Sequence, residues 1–302
     1  MSVIPRSLVD GLTDKVNAVS SEAQALIAAT LEALDWTDVE RDRRTLVDAL
    51  QEVCDSYADV VAQAAADMYD DAREAVVGER LGAQALPGYE PDATDRAVRY
   101  FVKSIVDGKP VESFNAQVLG RVDYELKRAA GRCATANAAR DPLKPRYARV
   151  PTGSETCPFC IMLASRGFVY RSKETAGGID HYHPGCDCRV VCQWEASQGV
   201  EGYDVPDLFE QYLKLADTHG AEWKAASRSA RGKGTAAPPR FGSIGEASKY
   251  VQGASAPDEL QARLAEAYED LERMFKGKED AVKKARDVVA VAARRRMREI
   301  TA

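Results

Sequence analysis

Residues 151–192 read PTGSETCPFCIMLASRGFVYRSKETAGGIDHYHPGCDCRVVC, and this stretch organises the prediction of the fold. It contains five of the seven cysteines and two of the three histidines in the chain. Two residues separate Cys157 from Cys160, and two separate His183 from Cys186. Paired soft ligands at this spacing are typical of a tetrahedral zinc site. The stretch therefore predicts a small metal-bound module, with helices attached before and after it.

The fourth ligand of this predicted site has two candidates. In an extended segment, residues 186 and 188 face the same side, so Cys188 is an alternative to Cys186. The predicted ligands are therefore Cys157, Cys160, His183 and Cys186, with Cys188 able to replace Cys186. Four protein ligands leave no open position on zinc, which is the arrangement of a structural site. A reduced cluster without metal is the other interpretation.

Two further chemistries fit parts of the same stretch. Cys157 and Cys160 before a helical segment resemble the dithiol of a glutaredoxin, but a long helical region stands where that fold needs a βαβ unit. His181 beside Asp180 is compatible with the base of a zinc nuclease, although the sequence shows no second metal site for it. We favour a structural zinc site and keep a zinc-containing nuclease, or another nucleic-acid-processing factor, as the alternative function.

Composition indicates an ordinary water-soluble chain. The 302 residues are 45% hydrophobic and 29% charged, with a formal net charge of −6. No apolar run is long enough to span a bilayer, and the N-terminus lacks the pattern of a signal peptide. Cysteines grouped around histidines favour a reducing compartment over a disulfide framework. We therefore expect a protein without a membrane segment that is made and assembled in the cytoplasm.

Apolar residues at steps of three and four predict four helices before the cysteine stretch. They cover, approximately, residues 7–35, 37–68, 92–106 and 111–139. Thr37 followed by Glu40 predicts a capping box at the start of the second helix. In the fourth helix, the basic residues, Lys127 and Arg128 among them, are predicted to form a solvated face.

The pattern changes around and after the cysteines. Short strands are predicted at 147–151, 168–171 and 189–192, with one or two helical turns between Cys160 and Ser165. Asp204 and Pro206 predict the start of another helix. The predicted fold class is mainly α with a small zinc-stapled α+β module. Its predicted domains are an N-terminal helical region (1–141), the zinc module with its following helix (142–226), a linker (227–256) and a basic helical region (257–302).

The C-terminal helical region is basic despite the acidic average of the chain. Arg294, Arg295, Arg296 and Arg298 lie within five residues of one another. Positive charge near a helix C-terminus is stabilised by the helix dipole, so these residues need no ligand. Four arginines are also a plausible contact for nucleic acid or for an acidic partner surface. The sequence leaves both interpretations open.

The segments ARVPTGSETCPFCIMLASRGFVY, SKETAGG and HYHPGCDCRVV resemble the MuF-like minor capsid proteins, or head morphogenesis proteins, of tailed bacteriophages. They are most similar to the version carried by phages and prophages of actinobacteria. The resemblance covers about residues 145–195 and includes the residues between the predicted ligands. The Cys-x-x-Cys and His-x-x-Cys-x-Cys patterns of that family fall on the five predicted zinc ligands, counting Cys188.

This resemblance implies a low-copy structural protein of the phage head. Its expected partners are the portal protein, the major capsid or scaffold proteins and, in some members, packaged DNA during packaging or ejection. The implied location is the virion, after synthesis in the host cytoplasm. Some relatives are fused to a protease or a toxin enzyme, but no catalytic constellation is evident outside the cysteine stretch, so we expect no enzyme activity.

Overall fold

A computed structural model describes residues 3–170, 186–196, 198–215, 241–275 and 277–301. It is mainly helical with small sheets, as the sequence predicted. The helices are α1 (Arg6–Ala33), α2 (Val39–Val77), α3 (Pro91–Val106), α4 (Val111–Arg140), α5 (Pro158–Ala164), α6 (205–215), α7 (Ile244–Gln252), α8 (Pro257–Met274) and α9 (Glu279–Thr301). The strands are β1 (Val3–Ile4), β2 (Arg146–Pro151), β3 (Cys188–Gln193) and β4 (Gly199–Val200). Among the described residues, no helix is both long and apolar enough to cross a membrane.

Helices α1 to α4 form the first of two compact units. In this unit α2 packs against α1, α3 and α4. The apolar periodicity read from the sequence is the buried face of each helix, because removing that face from water stabilises the bundle. Its buried side chains include Leu12, Val16, Ile27, Leu46, Leu50, Val61, Val98, Phe114, Val122 and Leu126.

Helices α2 and α4 pack against each other, and both are rich in buried alanines. These alanines are at positions 58, 62, 65 and 66 of α2 and 129, 130, 134 and 138 of α4. We call the contact between the two helices the alanine seam. The Sγ atom of Cys133 on α4 lies 3.2 Å from the carbonyl oxygen of Ala62 on α2. A side chain of one helix thus touches the backbone of the other, which requires a close approach of the two helices.

Helix α2 begins at Val39, one residue later than a capping box with Thr37 as the N-cap predicts. Its N-cap is Asp38, whose carboxylate accepts a hydrogen bond from the backbone N–H of Arg41 at 3.0 Å. The Thr37 hydroxyl instead donates to Asp35 at 2.8 Å. The Thr37 capping prediction is therefore wrong. Thr and Asp are both favourable N-cap residues, but the Thr37 hydroxyl is hydrogen-bonded to Asp35, so Asp38 caps the helix instead.

The predicted solvated face of α4 is wrong at Lys127 and Arg128, whereas Arg140 is exposed as predicted. Lys127 and Arg128 are buried, with 6% and 9% of their surface exposed. Lys127 Nζ pairs with Asp123 at 2.8 Å, and Arg128 pairs with Glu125 at 3.3 Å. These acidic partners stand one turn earlier on the same helix, where side chains three and four residues apart meet. Each charge enters the bundle interior together with its partner.

A buried carboxylate joins α2, the end of α4 and the residue that follows β3. Asp141, fully buried at the C-cap of α4, accepts hydrogen bonds from Tyr69 Oη at 2.9 Å and Arg73 Nε at 3.0 Å. It also accepts from Trp194 Nε1 at 2.8 Å and from the backbone N–H of Leu143 at 2.9 Å. Four donors satisfy a carboxylate that would otherwise be costly to bury.

The strands form two two-stranded sheets. β1 and β4 are parallel, with Val3 opposite Gly199 and Ile4 opposite Val200. β2 and β3 form the other sheet, in agreement with two of the three predicted strands. In the third predicted strand, Tyr170 makes an isolated antiparallel bridge with Tyr147, and Arg171 lies outside the described residues.

Helices α5 to α9 belong to the second compact unit. There α7 packs on α8 and α9, and α8 packs on α9. Helix α7 lies inside the stretch 227–256, which was predicted as a linker without a helix; residues 227–240 of that stretch lie outside the described residues. The core of this unit includes Ile161, Leu163, Phe209, Leu213, Ala247, Val251, Leu260, Leu264, Leu271, Val289 and Met297.

Candidate metal centre

Three cysteine thiols lie close together and are buried. The Sγ atoms of Cys160, Cys186 and Cys188 lie within 4.8 Å of one another. Cys160 lies in the first turns of α5, Cys186 lies just before β3, and Cys188 is the first residue of that strand. Each has at most 1% of its surface exposed. Three thiols in this arrangement can hold a metal ion.

The sulfur spacing fits the geometry of a tetrahedral zinc site. Cys186 Sγ and Cys188 Sγ are 3.7 Å apart. With Zn–S bonds of about 2.3 Å, two sulfurs on the edge of a tetrahedron stand about 3.8 Å apart. Sulfur is also the ligand that soft or borderline metal ions prefer. The residues present therefore fit zinc in both chemistry and spacing, and they hold no charged oxygen ligand in this group.

The sequence analysis treated Cys186 and Cys188 as alternatives, but both belong to the thiol group. The bend before β3 brings their sulfurs together. Cys157 is not in the group of three among the described residues. Its Sγ accepts a hydrogen bond from the backbone N–H of Cys160 at 3.3 Å, so it caps α5. His183 and His181 lie outside the described residues.

Residues 152 and 153 hydrogen-bond to Asp187, which lies between Cys186 and Cys188 in the sequence. The backbone N–H of Gly153 donates to Asp187 Oδ2 at 2.9 Å, and the Thr152 hydroxyl donates to the Asp187 carbonyl oxygen. A Cβ atom at position 153 would stand 2.8 Å from that carboxylate oxygen, so a larger residue there would have to displace the Asp187 side chain. The sequence analysis did not assign Gly153 or Asp187 to the site, although both lie inside the quoted stretch.

The residue after the cluster is anchored to the first helix. Arg189 donates to the Asn17 Oδ1 at 3.3 Å and to the Cys188 carbonyl oxygen at 3.0 Å. Thr13, one turn earlier on α1, donates to the Thr152 hydroxyl at 3.1 Å. These bonds hold the backbone of Cys188 in one position. A preorganised backbone of this kind lets a metal ligand bind without a further cost in ordering.

The other cysteines behave as ordinary core residues. Burial raises the pKa of Cys54 to about 12 and also raises the pKa of Cys133 and Cys192. Thiols with raised pKa values stay protonated at neutral pH and are poor nucleophiles. Cys54 is fully buried on α2.

A family model described as VG15 protein matches residues 3–215 of the chain, which includes every cysteine and the predicted ligand His183. The chain belongs to the VG15 protein family. One relative of this chain is the "Gene 15 protein" of Mycobacterium phage D29. It is 28% identical over 251 residues, which cover 70% of this chain and 85% of the relative. Membership of the family, together with such relatives, identifies it as a bacteriophage protein.

A second relative matches a shorter part of the VG15 protein. The "Gene 15 protein" of Mycobacterium phage L5 is 30% identical over 148 residues, covering 36% of this chain and 50% of the relative. No solved structure matches the chain. The family match ends at residue 215, so α7, α8 and α9 lie beyond it.

The predicted basic cluster of the VG15 protein lies on α9. Arg294 pairs with Glu210 at 2.8 Å, whereas Arg295 and Arg296 pair with Glu299 at 3.1 and 2.9 Å. The Arg298 Nε donates to the carbonyl oxygen of Arg294 at 3.4 Å, as a C-terminal cation can. Arg295 is the most exposed of the three ion-paired arginines, with 76% of its side chain accessible. A contact with nucleic acid or an acidic partner stays a prediction.

Proposed function

We propose that this VG15 protein is a minor structural protein of the phage head, built in beside the portal during head assembly. The proposal is supported by two matches, one to a family model and one to a motif, that fall on the same segment of the chain. The VG15 match covers residues 3–215, and the resemblance to MuF-like minor capsid proteins falls within it, at about 145–195. The D29 and L5 relatives, both from mycobacteriophages, agree with the actinobacterial version of that resemblance.

The burial of the thiol cluster supports a structural role for this segment. A catalytic zinc ion keeps a position open for water or substrate, whereas a structural one is closed by protein ligands. Cys160, Cys186 and Cys188 are all buried, so substrate has no direct access to their sulfurs. We propose zinc as the metal, with Cys157 or His183 as the fourth ligand. The metal would fix the fold of the segment, and the helices would offer surfaces to the portal or the shell.

The proposed role is tested by the location of the protein in infected cells. Heads, procapsids and free tails would be separated by density gradient, and the VG15 protein would be quantified in each by mass spectrometry. The portal protein serves as the head marker and a tail-tube protein as the tail marker. We expect a few copies per head, a ratio to portal that stays constant across gradient fractions, and none in free tails. Absence from purified procapsids and heads would contradict the proposal.

The enzyme alternative is a zinc-containing nuclease or nucleic-acid-processing factor. We propose that the protein has no such activity, because the thiol group lies in the interior and the arginines of α9 are largely ion-paired. Purified protein incubated with linear and circular DNA, with Mg²⁺, Mn²⁺ or Zn²⁺, is expected to leave both substrates intact. Cleavage that disappears in His181→Ala but persists in the matched His219→Ala variant would support the nuclease instead.

A further inference from the structure

One face of α2 carries a row of negative charge. Between residues 45 and 72 the chain has seven Asp or Glu and no Lys or Arg. Five of these acids lie on the solvent side of the helix and are exposed. Four of the five, Asp48, Glu52, Asp55 and Asp59, follow one another at steps of four and three, so they share one stripe of the helix, and we call these four residues the acidic face of α2. Like charges at this spacing repel one another modestly, so a positive surface that covers the face would relieve the repulsion.

One face of α9 carries the opposite charge. Steps of four and three along the helix place five exposed residues on one line: Lys284, Val288, Val291, Arg295 and Arg298. We call these the basic face of α9. Its two valines are unusually accessible, with 53% and 62% of their surface exposed. Neither valine contributes to the core of the second unit, whose α9 residues include Ala285, Val289 and Met297.

The two faces are complementary in charge. The basic face has its two exposed valines between its basic residues, with the exposed acids Asp287 and Glu299 at its edges. The acidic face runs about 17 Å along its helix and the basic face about 21 Å, from a rise of about 1.5 Å per residue. Protein interfaces typically place apolar residues at the centre and charged residues at the rim. The faces are therefore opposite in sign and similar in length, and Val288 and Val291 would lie at the centre of the contact.

We propose that the basic face of α9 in one copy of the chain docks on the acidic face of α2 in a second copy. The contact is head-to-tail, because the two faces are different surfaces. Such a contact repeats from copy to copy and produces a closed ring where the rotation closes, or an open filament where it does not. The proposal does not rest on a role in the phage head.

A protein partner accounts for the basic face better than nucleic acid does. Binding to a phosphate backbone uses Lys and Arg and gains nothing from exposed Val288 and Val291. Glu299 lies beside Arg295 and pairs with it at 3.1 Å, which lowers the attraction for a polyanion. An acidic helix face of another protein chain satisfies the charges and can cover the two valines. The chain itself supplies such a helix.

The test uses the full chain and two charge-reversed variants, studied by sedimentation velocity at low and high salt. One variant is Asp55→Lys with Asp59→Lys, and the other is Lys284→Glu with Arg295→Glu. A matched control, Asp14→Lys with Asp107→Lys, reverses two exposed acids away from both faces. We expect the natural chain to self-associate at low salt and to dissociate as salt screens the charges. Each face variant should associate at least about tenfold more weakly, whereas the control should match the natural chain.

Mixing the two face variants provides the decisive measurement. Each variant alone has lost the charge complementarity of the contact and should associate at least about tenfold more weakly than the natural chain. In the mixture, the unaltered basic face of the first variant meets the unaltered acidic face of the second, so differently labelled variants should co-sediment in equal amounts. A monomeric natural chain at low salt, full association of either variant alone, or no recovery on mixing would each overturn the proposal. A monomeric natural chain that binds DNA through Lys284 and Arg295 would instead identify the basic face as a nucleic-acid surface.

Discussion

At the scale of single residues, the Asp141 carboxylate connects α2, the end of α4 and Trp194 through hydrogen bonds. Burial alone would raise its pKa, but the hydrogen bonds from Trp194, Leu143, Tyr69 and Arg73 outweigh burial and lower the pKa below its ordinary value. The carboxylate is therefore charged in the folded protein at neutral pH. The sequence analysis ended the N-terminal helical region at residue 141 but gave Asp141 no role, because three of its four donors come from distant positions in the sequence.

Replacing Asp141 tests this network. Asp141→Asn keeps the shape but leaves the buried Arg73 guanidinium with only the exposed Glu79 carboxylate, at 3.3 Å, as a charged partner. We expect a loss of about 3 kcal/mol in the free energy of unfolding, the scale measured when one partner of a buried ion pair is removed. Urea denaturation followed by circular dichroism measures it. The control Asp14→Asn, at an exposed site of α1, should change the free energy by less than about 0.5 kcal/mol. Equal stability of the two variants would show that the network contributes little.

The thiol group gives a second prediction at the same scale. Cys188 and Cys192 are both buried in β3, four residues apart, but only Cys188 belongs to the group of three. Protein prepared without chelators should contain about one metal ion per chain. Cys188→Ser should lose most of that metal and fall in thermal stability, whereas Cys192→Ser should retain it. Elemental analysis measures the content; metal-free natural protein, or full metal in Cys188→Ser, would contradict the assignment.

The site could be predicted only in part from the sequence. Spacing alone indicated that Cys160 would meet a thiol from the second motif. It could not decide between Cys186 and Cys188, because the bend that brings both sulfurs together depends on Asp187 bonding the loop at Gly153. The error at Lys127 has a similar origin. A charge is usually solvated, and its burial beside Asp123 becomes visible only once the helix is packed.

At the scale of elements, the seam between α2 and α4 depends on small side chains. Ala62 is fully buried, and its carbonyl oxygen lies 3.2 Å from Cys133 Sγ on α4, so a larger side chain at position 62 has to displace packed neighbours. Ala62→Leu should lower the free energy of unfolding by about 1–3 kcal/mol, the usual cost of overpacking a core. Ala75→Leu makes the same substitution at an exposed position of α2 and should be nearly neutral, since Leu and Ala are both good helix formers. Thermal unfolding of both variants compares them directly; an unaffected Ala62→Leu would show that the helices can separate without cost.

Sequence patterns predicted the long helices better than the short one. Helices α1 to α4 each present an extended apolar face, which gives a strong period. Helix α7 has nine residues and buries only Ala247 and Val251. So short a helix is not stable alone, and packing on α8 and α9 forms it. Its N-cap Ser243, which accepts from the Glu246 N–H at 3.2 Å, was a sequence signal that the Gly- and Pro-rich surroundings obscured.

At the scale of the whole molecule, carboxylates in both units are held in their charged form. Hydrogen bonds from arginine lower the pKa of Glu40, Glu90 and Asp95. Hydrogen bonds from Ser255 lower the pKa of Glu259 to about 2. A carboxylate whose pKa is lower in the folded state stabilises the fold above its unfolded pKa, and this contribution is lost as the pH falls through the folded value.

Stability should therefore be nearly constant from about pH 7 to about pH 5 and should fall below about pH 4.5, where unfolded Asp and Glu begin to bind protons. Urea midpoints measured across this range test the expectation. Asp141→Asn removes one of the linked protons, so its acid limb should be shallower than that of the natural chain. A midpoint that stays constant down to pH 3, or that rises on acidification, would contradict the linkage.

The alanine seam limits how the family can change its sequence. A surface position tolerates most residues, but a seam position tolerates only those whose side chain ends near Cβ. Divergence should therefore be rapid outside the seam and confined inside it to exchange among Ala, Gly, Ser and Cys. We expect relatives that share only 28–30% of their residues with this chain to keep small residues at these positions, and therefore to keep α2 and α4 equally close.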